Sequence, residues 1–154
     1  YGDNMPFAHR FDHTSPNFIS SLEQQLSFLN DKHPAGFVVR LHVLGDFYNG
    51  QYIVQWQLWL HQFENLNVFG YTHHEYTSQL GSMISNVNSL HSDRFRVRFS
   101  DDWDTEFSAH VVDSSDLEYV EHGVICPEQL GKTDSCASCG YCWSSDQPVV
   151  FIEH

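Results

Sequence analysis

Three apolar stripes at helical spacing alternate with three short apolar runs between Ile19 and Phe99, and this alternation limits the fold more than any other feature of the chain. Ser15-Pro16 is a helix start, with Ser15 as N-cap and Pro16 in the first turn. Ile19, Leu22, Leu26 and Leu29 follow as one helical stripe, which Asn30 to Pro34 breaks. Phe37 to Leu44 is a dense run with β-branched Val38, Val39 and Val43, and reads as a buried strand ended by Gly45-Asp46. From Asn49, residues Tyr52, Ile53, Trp56, Trp59, Leu60 and Phe63 make a wide helix face. Asn67 to Thr72 is a second strand. Tyr76, Leu80, Met83, Ile84, Val87 and Leu90 form the next helical stripe. Phe95 to Phe99 alternates with period two, as a half-exposed strand does.

The order helix, strand, helix, strand, helix, strand implies right-handed crossovers and a mostly parallel sheet. The last third differs. Short β-like pieces at Ala109 to Val112, Gly123 to Ile125 and Val149 to Ile152 are separated by polar and cysteine-bearing loops. The expected fold is α/β, a partial (β/α) barrel-like sheet with an irregular C-terminal cysteine loop. At 154 residues the chain fits one domain, 1–154, with a metal-binding loop at 124–143. Sites in such sheets gather at the C-terminal ends of strands, where Gly45-Asp46, Tyr71-Thr72, Ser100-Asp101 and Cys126 fall.

All four cysteines lie in this last third, as Cys126-x9-Cys136-x2-Cys139-x2-Cys142. Two-residue gaps let one loop wrap a face of an iron–sulfur cubane, as in the C-x2-C-x2-C run of bacterial ferredoxins. Gly140, Ala137 and Ser138 limit crowding, and Cys126-Pro127 supplies the remaining ligand from upstream. The expected cofactor is one [4Fe–4S] cluster on Cys126, Cys136, Cys139 and Cys142. Structural zinc on four thiolates is the rival. Zinc ribbons usually pair two C-x2-C knuckles, whereas three ligands here crowd one short loop. Disulfides are disfavoured in a chain with no visible apolar leader near its start, where Met5 reads as the natural first residue. Close spacing argues against inert buried thiols. The radical-SAM pattern C-x3-C-x2-C does not match, and Cys126 would close the open iron, so no S-adenosylmethionine chemistry is expected.

Around this loop, Tyr141 and Trp143 read as shields for the sulfurs or as ordinary core aromatics, and Lys132 as a counter-charge or an exposed loop lysine. If the first strand alternates throughout, Arg40 and His42 share a face. With Asp46, Tyr71 and Thr72 they then form a polar pocket beside the cysteines, or a buried network that fixes the end of the sheet. His73-His74-Glu75 reads as a strand-to-helix loop rather than a metal tripod. Asp101, Asp102 and Asp104 read as a solvated loop, since no EF-hand spacing follows. His154 is within chain reach of the cysteines from the last strand. No P-loop, dinucleotide fingerprint or nucleophile elbow is present.

Charge bounds the partners. Seven Lys and Arg against twenty Asp and Glu leave a net charge of −13, which repels phosphate backbones and anionic membranes. No apolar run approaches the ~20 residues of a membrane span. The eleven scattered histidines read mostly as exposed or locally hydrogen-bonded. Three functions remain open. The first is a cytoplasmic electron carrier that docks its acidic surface onto a basic host redox protein. The second is a small cluster-dependent enzyme using the Arg40/His42/Asp46 pocket. The third is a zinc-stapled interaction module.

Four stretches carry a family resemblance. They are Arg40-Leu41-His42-Val43-Leu44-Gly45-Asp46-Phe47-Tyr48 with Tyr52 and Trp56; Phe69-Gly70-Tyr71-Thr72; Ile125 to Thr133 running on to Cys136, Cys139, Gly140, Cys142 and Trp143; and Phe151-Ile152-Glu153-His154. Together they resemble a family of phage and plasmid proteins named after a mycobacteriophage product, gene product 88. The resemblance runs from about Phe37 to the C-terminus and is most specific in the cysteine block. It implies a viral origin, with a marine phage as source, and a sheet resembling part of a radical-SAM barrel. Longer members carry an N-terminal region with further cysteine motifs that this sequence does not contain. The resemblance supplies no reaction.

Overall fold

The computed structural model describes residues 12–43, 45–101, 105, 107–115 and 123–153. In chain order the elements are α1 (Phe18–Lys32), β1 (Phe37–Arg40), α2 (Gly50–Gln62), β2 (Leu66–Thr72), α3 (Gln79–Leu90), β3 (Phe95–Ser100), β4 (Ser108–Val112), β5 (Val124–Ile125), α4 (Cys136–Cys139), α5 (Tyr141–Ser144) and β6 (Val149–Ile152). The six strands form one sheet in the order β1-β2-β3-β4-β6-β5, and every pairing is parallel. The sheet curls into a half-barrel. Among the described residues no helix is long and apolar enough to cross a membrane.

Strand alternation divides the side chains between two faces. On one face, Val39, Leu66, Val68, Phe95, Val97 and Phe99 meet Leu26 of α1, Ile53, Trp56, Trp59 and Leu60 of α2, and Ile84 and Val87 of α3. On the other, Phe69, Tyr71, Arg96 and Arg98 meet the segment that carries the cysteines. The sheet is thus covered on both sides, as parallel sheets require.

Side-chain caps fix where α2 and α3 start. Asn49 caps α2, its side chain accepting from the Tyr52 N–H at 2.9 Å. Ser78 caps α3 through the Gly81 N–H at 3.1 Å. Other expectations need correction. Helix α1 begins at Phe18, because Asp12 to Ser15 form a turn in which the Ser15 N–H bonds the Asp12 carbonyl. Strand β1 stops at Arg40 rather than Leu44, because His42 takes a left-handed backbone, φ 52°. Tyr76 precedes α3 and packs its ring 5.2 Å from Phe99, and Leu90 ends α3 exposed. Strand β3 is not half-exposed: Arg96 and Arg98 are buried along with Phe95, Val97 and Phe99.

Two amides complete strand edges. Beyond the short β3–β4 pairing, Asn88 of α3 accepts from the Val97 N–H at 2.9 Å and donates to the Val97 carbonyl at 2.8 Å. Past the end of β5, Gln129 does the same for Ile152, at 2.9 and 3.1 Å. Each side chain satisfies main-chain groups that a neighbouring strand does not reach.

Gly81 shows how tightly α3 is seated. Alanine is ordinarily better than glycine in a helix by about 1 kcal/mol. Here a Cβ would lie 2.0 Å from the Glu75 carbonyl oxygen, a backbone atom that cannot step aside cheaply. Gly81→Ala is therefore expected to destabilise the fold by about 1–3 kcal/mol, seen as a lower urea midpoint; an unchanged or higher midpoint contradicts this seating.

Candidate functional site

The segment from Cys126 to Gln147 folds back over the face of the sheet that the long helices leave open. Its entry is fixed by the Cys126 N–H on the Val150 carbonyl at 2.8 Å, which continues the β5–β6 ladder by one bond. The Pro127 carbonyl then accepts from the Lys132 N–H at 2.8 Å, closing a compact turn; the Lys132 side chain is exposed. Ser135 and Ser138 cap α4 reciprocally. Gly140, with φ 70°, is the left-handed residue that ends α4 and opens α5, so Cys136, Cys139 and Cys142 ride on two abutting turns. That conformation suits glycine and strains most side chains.

All four thiols are free. Cys126 is buried against Ala109 and Val149, with Tyr71, Tyr141, Cys142 and Phe151 around it. Cys136 is exposed, and Cys139 and Cys142 are half-buried. Cys136 lies within electrostatic reach of Cys126 and Cys139, and Cys142 within reach of Cys126 and Cys136. Burial pushes the Cys142 thiol up in pKa, opposed by the Tyr71 hydroxyl and Arg98. Burial and then Glu128 push Cys136 up, opposed by Arg40. A metal would displace these protons on binding.

Three side chains of the sheet hold the segment down. The Arg98 guanidinium donates to the carbonyls of Cys142 (3.1 Å), Ser145 (2.6 Å), Gln147 (2.9 Å) and Ser108 (3.3 Å). It is fully buried and packs on the Tyr141 ring at 5.9 Å. Burial lowers its pKa, with Cys142 and Tyr71 opposing. Arg96 pairs with Asp146, donates to the Ser92 carbonyl at 2.7 Å and lies over Phe107. The Tyr71 hydroxyl donates to Cys142 Sγ at 3.0 Å. Burial, then Cys142, raise the Tyr71 pKa, so the phenol keeps its proton. Trp143 packs on Phe69 at 5.0 Å. Among the described residues, the buried Tyr141 hydroxyl and Thr133 hydroxyl have no hydrogen-bond partner.

The expected pocket of Arg40, His42, Asp46, Tyr71 and Thr72 is not one pocket. Tyr71 and Thr72 are adjacent in β2 and point to opposite faces. Arg40 lies 5.8 Å from the Tyr71 ring on the cysteine side. His42, turned by its left-handed backbone, packs instead on Phe47 (4.5 Å) and Tyr52 (5.8 Å) of the helical side. Asp46 ties the ends of β1 and β2 together. Its carboxylate accepts from the Thr72 hydroxyl at 2.9 Å, the His73 N–H at 2.8 Å and the Phe47 N–H at 2.7 Å. His74 Nε2 lies 2.8 Å from the Phe47 carbonyl. Glu75 offers its carbonyl to the Ser78 N–H. These residues fix the sheet end. Asp101 takes φ 60° after β3; Asp102, Asp104 and His154 lie outside the described residues.

Among the described residues, neither buried ring nitrogen of His42 has a hydrogen-bond partner. Burial lowers its pKa, with Asp46 opposing and His74 adding to the fall. The folded state thus favours the neutral ring, and unfolding in acid takes up a proton. The stability linked to His42 is complete above its unfolded value of about 6.5 and is lost as pH falls below it, by at most about 1.4 kcal/mol per pH unit. Asparagine tolerates the left-handed backbone and does not titrate. Urea midpoints between about pH 8 and about pH 5 should fall less steeply for His42→Asn than for the wild type. Equal slopes would assign the acid sensitivity elsewhere.

Sequence reasoning found the four cysteines but missed what holds them. Arg96 and Arg98 read as surface positions of an alternating strand, and the one signal was their placement between three phenylalanine and valine core positions. Among the described residues, no group of three or more His, Cys, Asp or Glu side chains is placed to hold a metal ion. No curated protein and no solved structure matches the chain. A family model does, over residues 6–145, starting well before the Phe37 expected from the sequence and stopping short of the last strand. That match spans most of the chain, and the protein belongs to the gene product 88 family of phage proteins.

Proposed function

We propose that the chain carries one [4Fe–4S] cluster on Cys126, Cys136, Cys139 and Cys142 and works as an electron carrier. The observation that carries this reading is that one folded-back segment bears four free thiols and packs two of them, Cys126 and Cys142, against a single face of the sheet. Their chemistry fits the group. Thiolates are the ordinary ligands of such clusters, and the C-x2-C-x2-C spacing is the ferredoxin one. The thiols are not closed around one point. A cubane asks less of them than zinc does, because each thiolate takes its own iron, whereas a single zinc needs every sulfur at about 2.3 Å.

When bound, the group supplies one-electron chemistry. The chain's residues do the rest. Arg98 places positive charge under the loop and fixes the Cys142 main chain. Tyr71, Tyr141, Trp143 and Phe151 limit water on the sheet side. Cys136 is the exposed corner, open to a partner. The net charge of −13 suits docking onto a basic redox protein, and the carrier we propose would work in the cytoplasm of the host. Arg40 packs by Tyr71 while His42 packs by Phe47, which favours the carrier over an enzyme built on one shared Arg40/His42/Asp46 pocket.

Anaerobic purification followed by iron, sulfide and zinc analysis tests the proposal. A brown protein with about four iron and about four sulfide per chain is expected. Stoichiometric zinc without sulfide would make the loop a structural zinc site instead.

A further inference from the structure

We propose that the Tyr71 hydroxyl, by donating to Cys142 Sγ, sets the reduction potential of the group held by the four cysteines, an inference that rests on the iron–sulfur reading above. The donor and acceptor are 3.0 Å apart. Both are fixed from several sides. Tyr71 sits one residue from the end of β2, opposite Arg98 in the β2–β3 register. Its ring is held by Phe151 at 5.8 Å and Phe69 at 6.4 Å, with the Arg40 guanidinium 5.8 Å from the ring centre. Cys142 is held at its carbonyl by Arg98 Nε at 3.1 Å. The Arg98 contact therefore fixes the main chain from which the Cys142 sulfur reaches the hydroxyl.

The direction of the effect follows from charge. An added electron raises the negative charge on the thiolate sulfurs. A hydroxyl that donates to one of them is bound more strongly after reduction than before. Tyr71 thus stabilises the reduced form more than the oxidised form and raises the potential. The bond is intramolecular and half-buried, so bulk water does not replace it at the same geometry.

The test is a reductive titration with dithionite, followed by electron paramagnetic resonance, on the anaerobically loaded full chain. Three proteins are compared: wild type, Tyr71→Phe, and a chain with 3-fluorotyrosine at position 71 alone. Phenylalanine removes the donor and should shift the equilibrium against reduction by about tenfold, which is about 59 mV for one electron. Fluorotyrosine keeps the ring and donates more strongly, so its potential should move the opposite way. If Tyr71→Phe fails to hold iron, the fluorotyrosine chain decides alone. Unchanged potentials at unchanged iron and sulfide content overturn the role of Tyr71 and leave the iron–sulfur reading standing. A wild-type chain that takes up neither iron nor sulfide overturns both.

Discussion

Arg98→Met is expected to destabilise the protein by about 3–5 kcal/mol, against a typical total of about 5–15 kcal/mol. The methionine fills most of the volume but donates nothing. Four main-chain carbonyls, of Cys142, Ser145, Gln147 and Ser108, then lose their donor at a fully buried position. Three of the four belong to the cysteine segment, so its docking suffers first. Arg98→Lys should recover only part of the loss, because one ammonium cannot span carbonyls that a planar fork reaches together. Urea denaturation of the metal-free protein measures the cost, and limited proteolysis between Cys126 and Gln147 shows where it falls. A loss below about 1 kcal/mol would mean that the loop is held by other contacts.

The second large effect concerns the ligands. Removing groups that merely orient a metal ligand commonly costs about ten- to a hundredfold in affinity. Cys126→Ala and Cys142→Ala remove proposed ligands themselves, the first buried beside Ala109 and Val149 and the second half-buried against that cluster. Each is expected to lower retained iron by more than about tenfold. Cys136→Ser should be milder, since its corner is exposed and a hydroxyl or water can stand in there. Iron and sulfide content after anaerobic loading separates the variants. Equal retention in all of them would remove the cysteines from the site.

Much of this was legible in the chain because local chemistry and tertiary packing agree. Asn49 with the Tyr52 to Phe63 face marks α2 at both levels, and all six of those apolar residues are buried. The parallel order followed from alternation alone. What the pattern could not show are contacts made to main chain. Arg98 binds carbonyls, and a carbonyl has no residue type to leave a trace in the sequence. Its period-two spacing looked like a solvent face, because the second cover of the sheet is an irregular segment with no periodicity of its own. His42 failed for another reason. One residue at φ 52° ends β1 early and sends the ring to the helical side, so counting along the strand put it with Arg40. Tyr71 was placed near the cysteines, but its bond to one particular sulfur depends on where Gly140 turns the loop.

Native mass spectrometry of the protein purified without oxygen addresses the cofactor itself. One chain should carry the added mass of a single four-iron, four-sulfide core, and should lose it on exposure to air and chelator. A chain bearing one zinc ion, no metal at all, or a pair of disulfides among Cys126, Cys136, Cys139 and Cys142 would contradict the iron–sulfur assignment.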